Sequence, residues 1–335
     1  MKKIIGLFKK HKKLVSTFLT IIILTLIVVY LYKNKEVFSI LRDVQISTII
    51  VVIAIQIFVV SLNALLEQRI LKMLGTEISY SNSLLLQYAA NFLNKILSNG
   101  GMFFRGYYLK KILKLSYSKY ISAITGFYII NFLVYSVVGF FSLILIYLQR
   151  GSYNLLVTLF FVLLLGVTLF LILWKKKVRL SEKYYLTRVV NEILKGWEII
   201  KQNPKELLYF TFLTTLLLLA AVIQMIVLYH GLGANLSILS SLFMTTIGIV
   251  TIFINLTPDG IGIKEGIYMF SSKLIGVNSE IILLGSLIAR AIVLFPSILL
   301  GGASYFILAD QIKKNSGDDI TSLLQENKKK NKEIM

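Results

Sequence analysis

Apolar positions in this chain fall in long, nearly unbroken blocks rather than with the alternation of a strand or the one-sided stripe of a soluble helix. Leu14–Tyr32, Ile46–Leu66, Ile121–Leu148, Tyr153–Trp174, Glu206–Tyr229 and Ile281–Leu308 are each long enough, at about 20 residues, for a helix to cross a hydrocarbon core roughly 30 Å thick. Six full spans are predicted. Asn203 stands as an N-cap and Pro204 as the first helical residue of the fifth. The first run follows a basic head, as a signal peptide would. It is too long for one, and Tyr30-Leu31-Tyr32-Lys33 offers no small-residue cleavage site, so it reads as a retained span.

Two further apolar segments are interrupted. Ser83–Ser98 is too short for a comfortable span, contains Gln87, Asn91, Asn94 and Lys95, and ends at Asn99-Gly100-Gly101. Leu236–Leu256 runs into a break, Thr257-Pro258-Asp259-Gly260-Ile261-Gly262, and a shorter piece, Ile263–Ile275, follows. The fold class is therefore an all-α polytopic integral membrane protein, with six full transmembrane helices and two interrupted or re-entrant helical segments. Its expected parts are a basic N-terminus (1–13), a transmembrane domain (14–308) with an amphipathic surface helix at 175–203, and an unstructured polar tail (309–335).

Composition agrees and removes whole classes of function. Of 335 residues, 56% are hydrophobic and 16% charged, with mean hydropathy +0.78, which excludes a soluble enzyme or a secreted disulfide scaffold. There is no cysteine, so no disulfide, thiolate metal site or cysteine nucleophile. The two histidines, His11 and His230, are far apart in the chain, and neither a metal nor any cofactor is expected.

A net charge of +20 would suggest nucleic acid in a soluble protein; here it reports topology. With the spans above, 28 of the 36 Lys and Arg fall on one face and only Lys33, Lys35, Arg42 and Arg150 on the other. By the positive-inside rule both termini are cytoplasmic, in a multi-pass protein of the cell membrane, and no nucleic-acid partner is implied. Ser83–Ser98 then enters and leaves from the inside, and Leu236–Ile275 from the outside; charge alone does not separate re-entrant hairpins from pairs of broken spans.

Almost everything that does not belong in lipid lies at the two breaks. Each has Asn, a glycine-rich interruption, then a charged residue followed by Gly and an aromatic: Arg105-Gly106-Tyr107 in the first, Glu265-Gly266-Ile267-Tyr268 in the second. Placed on opposite faces, they predict an inverted repeat whose discontinuous helices meet inside the membrane. A broken helix frees backbone groups, which is tolerable only beside a polar cavity. Half-helix N-termini after Gly101 and Gly262 would aim positive dipole ends, helped by Arg105 or Lys264, at an anion such as a lipid phosphate. Glu265 and Arg290 form the natural ion pair, since each costs about 2.5–3.5 kcal/mol if left alone near a helix centre.

At these breaks the chain resembles a known family. NFLNKILSNGGMFFRGYYLKKILKLS, and NLTPDGIGIKEGIYMFSSKLIGVNSE followed by Arg290, are similar to two motifs in the transmembrane region of lysylphosphatidylglycerol synthases, the multiple peptide resistance factors. The second match carries Pro258, Gly260, Gly262, Glu265-Gly266, Gly276 and Arg290; the first keeps Asn91, Gly101 and Arg105, with Ser98-Asn99 where Pro-Gly is usual. Tyr128 and Asn131 stand where the family often has charges. The resemblance implies a flippase-like region without the soluble domain that makes the aminoacylated lipid. It also implies a membrane phospholipid or polyprenyl-phosphate lipid as partner, with a soluble synthase or glycosyltransferase as a further one.

On this reading the leading function is translocation of an anionic or aminoacylated phospholipid such as lysylphosphatidylglycerol. Arg105 and Lys264 hold phosphate; Glu265, with Asp259, attracts a cationic aminoacyl group; Arg290 positions Glu265. Asn91 completes the expected lipid-binding set, and Gly100, Gly101, Pro258, Gly260 and Gly262 form the helix breaks. A phosphatidylglycerol lysyltransferase-type membrane transferase or its membrane subunit, and a translocator or partner in polyprenyl-phosphate-linked glycan assembly, are the rival readings. Homo-oligomerisation is left open.

Overall fold

The computed structural model describes residues 44–97, 99–173, 185–253 and 257–333, all helix and connecting turn, with no strand among them. The expected first span, Leu14–Tyr32, and the basic N-terminus lie outside the described residues. The helices are α1 (Ile46–Met73), α2 (Tyr80–Ile96), α3 (Gly100–Ile112), α4 (Tyr117–Arg150), α5 (Leu155–Leu173), α6 (Tyr185–Lys201), α7 (Pro204–Gly231), α8 (Ile238–Ile247), α9 (Val250–Phe253), α10 (Ile263–Ile275) and α11 (Ser279–Glu333). Five of them, α1, α4, α5, α7 and the Ser279–Asn315 part of α11, are long and apolar enough to cross a membrane, and they match the last five predicted spans. The chain is an all-α polytopic membrane protein.

Local chemistry sets the helix starts. Ser79, Ser116 and Ser237 each accept a backbone N–H with the side chain at the N-caps of α2, α4 and α8. Pro204 opens α7 as predicted, but Asn203 caps it by position without a side-chain bond.

The interrupted segments are re-entrant hairpins. Tyr108, near the end of α3, donates to Gln311 Oε1 at 2.9 Å, and Gln311 donates to Asn82, near the start of α2, so entry and exit lie at one level of α11. Ile78, Leu109 and Leu115 at that end pack with Leu71, Tyr120, Leu308 and Ile312. The second hairpin, α8–α10, enters and leaves at the other end: Leu236, Leu274 and Ile275 pack with Leu143, Val157, Tyr229 and Ile282. The first end carries Lys72, Lys110, Lys111, Lys114, Lys119, Lys205 and Lys313; among the described residues the second has Arg150 and Lys273.

The two halves therefore repeat one order, long helix, half-helix, break, half-helix, long helix, inserted from opposite ends. Each hairpin leans on the other half: α2 packs against α11, and α8 against α4. This is the geometry of an inverted repeat.

Two expectations need correction. The described helix of the segment 175–203, α6, does not lie free on the surface but is built into the bundle: Trp197 and Ile200 are buried with Ala123, Phe127, Phe210 and Leu213. Gly196 crosses Gly126 of α4 so closely that a Cβ on Gly196 would overlap the Ser122 carbonyl oxygen. Small residues permit such backbone contact, and van der Waals packing holds the two helices together there. The polar tail, expected to be unstructured, continues α11 as helix to Glu333.

The Gly126–Gly196 crossing generates a test. Gly196→Val forces side chain into backbone and should lower stability by about 1–3 kcal/mol, read as an earlier thermal transition of tryptophan fluorescence in detergent. Gly166→Val, where a Cβ meets nothing within 4 Å, should leave that transition in place.

Candidate functional site

The second break turns at the expected glycines; the first does not. In the first, Asn99 adopts the left-handed conformation (φ 62°), a region Asn tolerates. Gly100 and Gly101 are helical; they allow close approach, because a Cβ on Gly101 would overlap the Ala90 carbonyl of the opposing arm. Asn94 ties the turn by accepting the Gly101 N–H at 2.8 Å. In the second, Asp259, Gly260 and Gly262 all have positive φ, and the first two of them lie in the single 3₁₀ turn, Pro258–Gly260, that Pro258 opens.

Glu265 and Arg290 are paired, at 2.6 Å. The pair also closes the break. Glu265 Oε2 accepts the Gly262 N–H at 2.7 Å, capping α10, while Oε1 takes the Ser286 hydroxyl at 3.0 Å. Arg290 donates to the freed carbonyls of Asp259 (3.1 Å) and Gly260 (3.3 Å), and to Asp259 Oδ2 at 3.0 Å. Lys95, at the tip of the first hairpin, reaches the same Asp259 carboxylate. Lys95, Asp259 and Arg290 thus form a charged cluster where the hairpin tips meet.

A second polar cluster lies beside the first hairpin. Glu67 of α1 is buried; it accepts the Tyr120 hydroxyl at 2.9 Å and the Gln87 amide, and its Oε2 lies 3.9 Å from Arg105 Nε. Arg105 also donates to Gln87 Oε1. Its Nε is buried without a hydrogen-bond partner among the described residues. Glu67, Gln87 and Tyr120 were not among the expected site residues.

Two cavities flank the charged cluster. One, of about 450 Å³, is lined by Asn94, Asn99, Met102, Arg105, Tyr120, Tyr128, Asp259 and Gly260 among others. It lies toward the lysine-rich end, since Tyr120 and Tyr128 belong to the first turns of α4. The other, of about 280 Å³, includes Gln224, Tyr229, Thr245, Asp259, Lys264, Tyr268, Ser286 and Arg290, together with Lys95. It lies toward the opposite end, beside the last turns of α7 and the first of α11. Asp259 lines both.

Of the expected site residues, Arg105, Asp259, Lys264 and Arg290 face cavities. Lys264 sits with Nζ 5.4 Å from the Tyr268 ring centroid, at cation–π distance. Asn91 and Glu265 line neither cavity: Asn91 is half-buried on another side of α2, and Glu265 is buried behind Arg290.

No curated protein matches the chain. Residues 15–301 match the family described as "Lysylphosphatidylglycerol synthase TM region", which takes in both hairpins, the charged cluster where they meet and both cavities. At that coverage the chain belongs to the lysylphosphatidylglycerol synthase transmembrane-region family.

Proposed function

We propose that the chain is a lipid translocator, moving the head group of an anionic or aminoacylated phospholipid, such as lysylphosphatidylglycerol, between the two membrane leaflets. One observation carries this reading: two polar cavities, directed to opposite ends of the bundle, share Asp259 at the contact of the hairpin tips. By the positive-inside rule the lysine-rich end faces the cytoplasm. Arg105 then receives phosphate in the inner cavity, Lys264 and Arg290 in the outer one, and the acyl chains remain in lipid.

The ion pairs between Asp259 and its partners Lys95 and Arg290 are the barrier on this route. A phosphate arriving beside Lys95 or Arg290 competes with Asp259 for the cation, so occupancy itself loosens the contact between tips. Glu265 acts as a positioning residue: it holds Arg290 and caps α10 without touching the lipid. The neutral partners of Glu67, Tyr120 and Gln87, keep Arg105 directed at the inner cavity.

The test is translocation in vesicles containing the purified protein and a phospholipid with a fluorescent acyl chain. An impermeant reductant should bleach only the outer leaflet without protein and nearly all the label with it. Arg105→Ala should remove most of that gain while circular dichroism stays helical, whereas Asp259→Ala, which removes the carboxylate of the barrier, should raise the rate. If no protein-dependent exposure occurs, and radiolabelled aminoacyl groups are instead transferred to lipid, the chain is a transferase.

A double-mutant cycle tests the barrier. Lys95→Ala and Asp259→Ala should be non-additive in their effect on the translocation rate, with a coupling of about 0.5–3 kcal/mol, as for residues in one network. Additive effects would remove the Lys95–Asp259 contact from the pathway.

A further inference from the structure

The balance of charges in the outer cavity bears on which head group it takes, an inference that rests on the translocator reading. Three cations line this cavity, Lys95, Lys264 and Arg290, against one carboxylate, Asp259. Asp259 is already shared by Lys95 and Arg290. The nearby Glu265 does not line the cavity, and its two oxygens are engaged by Gly262, Ser286 and Arg290.

Lys264 is the cation left over. Among the described residues it pairs with no carboxylate, and its ammonium rests over the Tyr268 ring. Neutral groups are in place around it: Gln224, Tyr268 and Ser286 line the same cavity, and so does Thr245, whose buried hydroxyl oxygen has no hydrogen-bond partner among the described residues. An unpaired cation among hydroxyl and amide groups suits a phosphate anion whose head group carries no positive charge. An ammonium-bearing head group finds a different environment. It would meet a surplus of positive charge and no uncommitted carboxylate, and a desolvated charge without a partner is costly.

We infer that the outer cavity selects lipids whose head group is a phosphate anion without an ammonium, and discriminates against aminoacylated ones. Two kinds of lipid present that chemistry, a phosphatidylglycerol-type phosphodiester and a polyprenyl phosphate. Lys264 is the specificity-determining residue.

The experiment compares three lipids in phosphatidylcholine vesicles holding the full chain: phosphatidylglycerol, lysylphosphatidylglycerol and a polyprenyl phosphate, each with a fluorescent chain. Phosphatidylglycerol or the polyprenyl phosphate should move roughly tenfold faster than the lysyl lipid, because the phosphate contact is common to all three while only the lysyl lipid brings ammonium groups beside an unpaired Lys264. Whichever of the two moves identifies the source. Lys264→Glu should invert the preference toward the lysyl lipid, an effect that misfolding cannot imitate. Lysylphosphatidylglycerol moving as fast as the anionic lipids, or faster, overturns the inference and leaves the translocator standing. If none of the three moves, the translocator reading itself falls, and this inference with it.

Discussion

A helix broken inside a membrane leaves amide and carbonyl groups that no water is there to satisfy, and each one unpaired costs several kcal/mol. The second hairpin meets this constraint with two side chains. Glu265 takes the Gly262 N–H at the start of α10, Arg290 takes the carbonyls of Asp259 and Gly260 at the end of the break, and the two hold each other at 2.6 Å. Neither charge is tolerable alone at that depth, and neither end of the break is satisfied without them. The pair is therefore structural and electrostatic at once: it lets the hairpin stop short of a full crossing, and it fixes a guanidinium at the wall of a cavity.

The first hairpin solves the same problem with less charge. Asn94 caps the Gly101 N–H, Asn99 takes the left-handed turn, and two glycines let the arms lie backbone to backbone. Its charged residues are consequently free for other contacts. Lys95 crosses to Asp259 of the other half, and Arg105 turns to Gln87 and Glu67 beside the cavity at the lysine-rich end. The repeat is symmetric in its helices and asymmetric in its chemistry. Where one half spends an ion pair on closing its own break, the other extends a cation across the interface.

The long spans, both breaks and their insertion from opposite faces could be read from hydropathy and the Lys/Arg distribution, because both signals are local. The Glu265–Arg290 pair was legible too, since an acid and a base in apolar surroundings have few other partners. Glu67 was not. Leu66 looked like the end of a span because Glu67, Gln68 and Arg69 follow it, yet α1 runs on to Met73 and turns Glu67 inward against Tyr120, a residue 53 positions away. A subtler signal existed for Gln87. Ser83, Gln87, Ala90 and Asn94 form one stripe along α2, and they touch, in turn, the Ala64 carbonyl, Glu67, Gly101 and the Gly101 N–H. Asn91 stands off that stripe, which is why it matched a motif but joins no network among the described residues. The docking of α6 depends on Gly126 meeting Gly196, a contact between distant segments that amphipathic periodicity does not encode.

Charge in this protein acts at two scales that should be kept apart. Among the described residues, most Lys and Arg away from the hairpin tips sit at one end of the bundle, where such charge attracts anionic lipid surfaces but is screened within about a Debye length. The few charges at the hairpin tips stand in apolar surroundings, are screened far less, and decide what can rest between the two halves. On the translocator reading, a head group passing from Arg105 to the neighbourhood of Lys264 exchanges one cationic partner for another, with Asp259 between them. Such a route lowers the barrier to crossing without opening a continuous water path. It is available because the hairpin tips meet at side chains and not through a continuous helix.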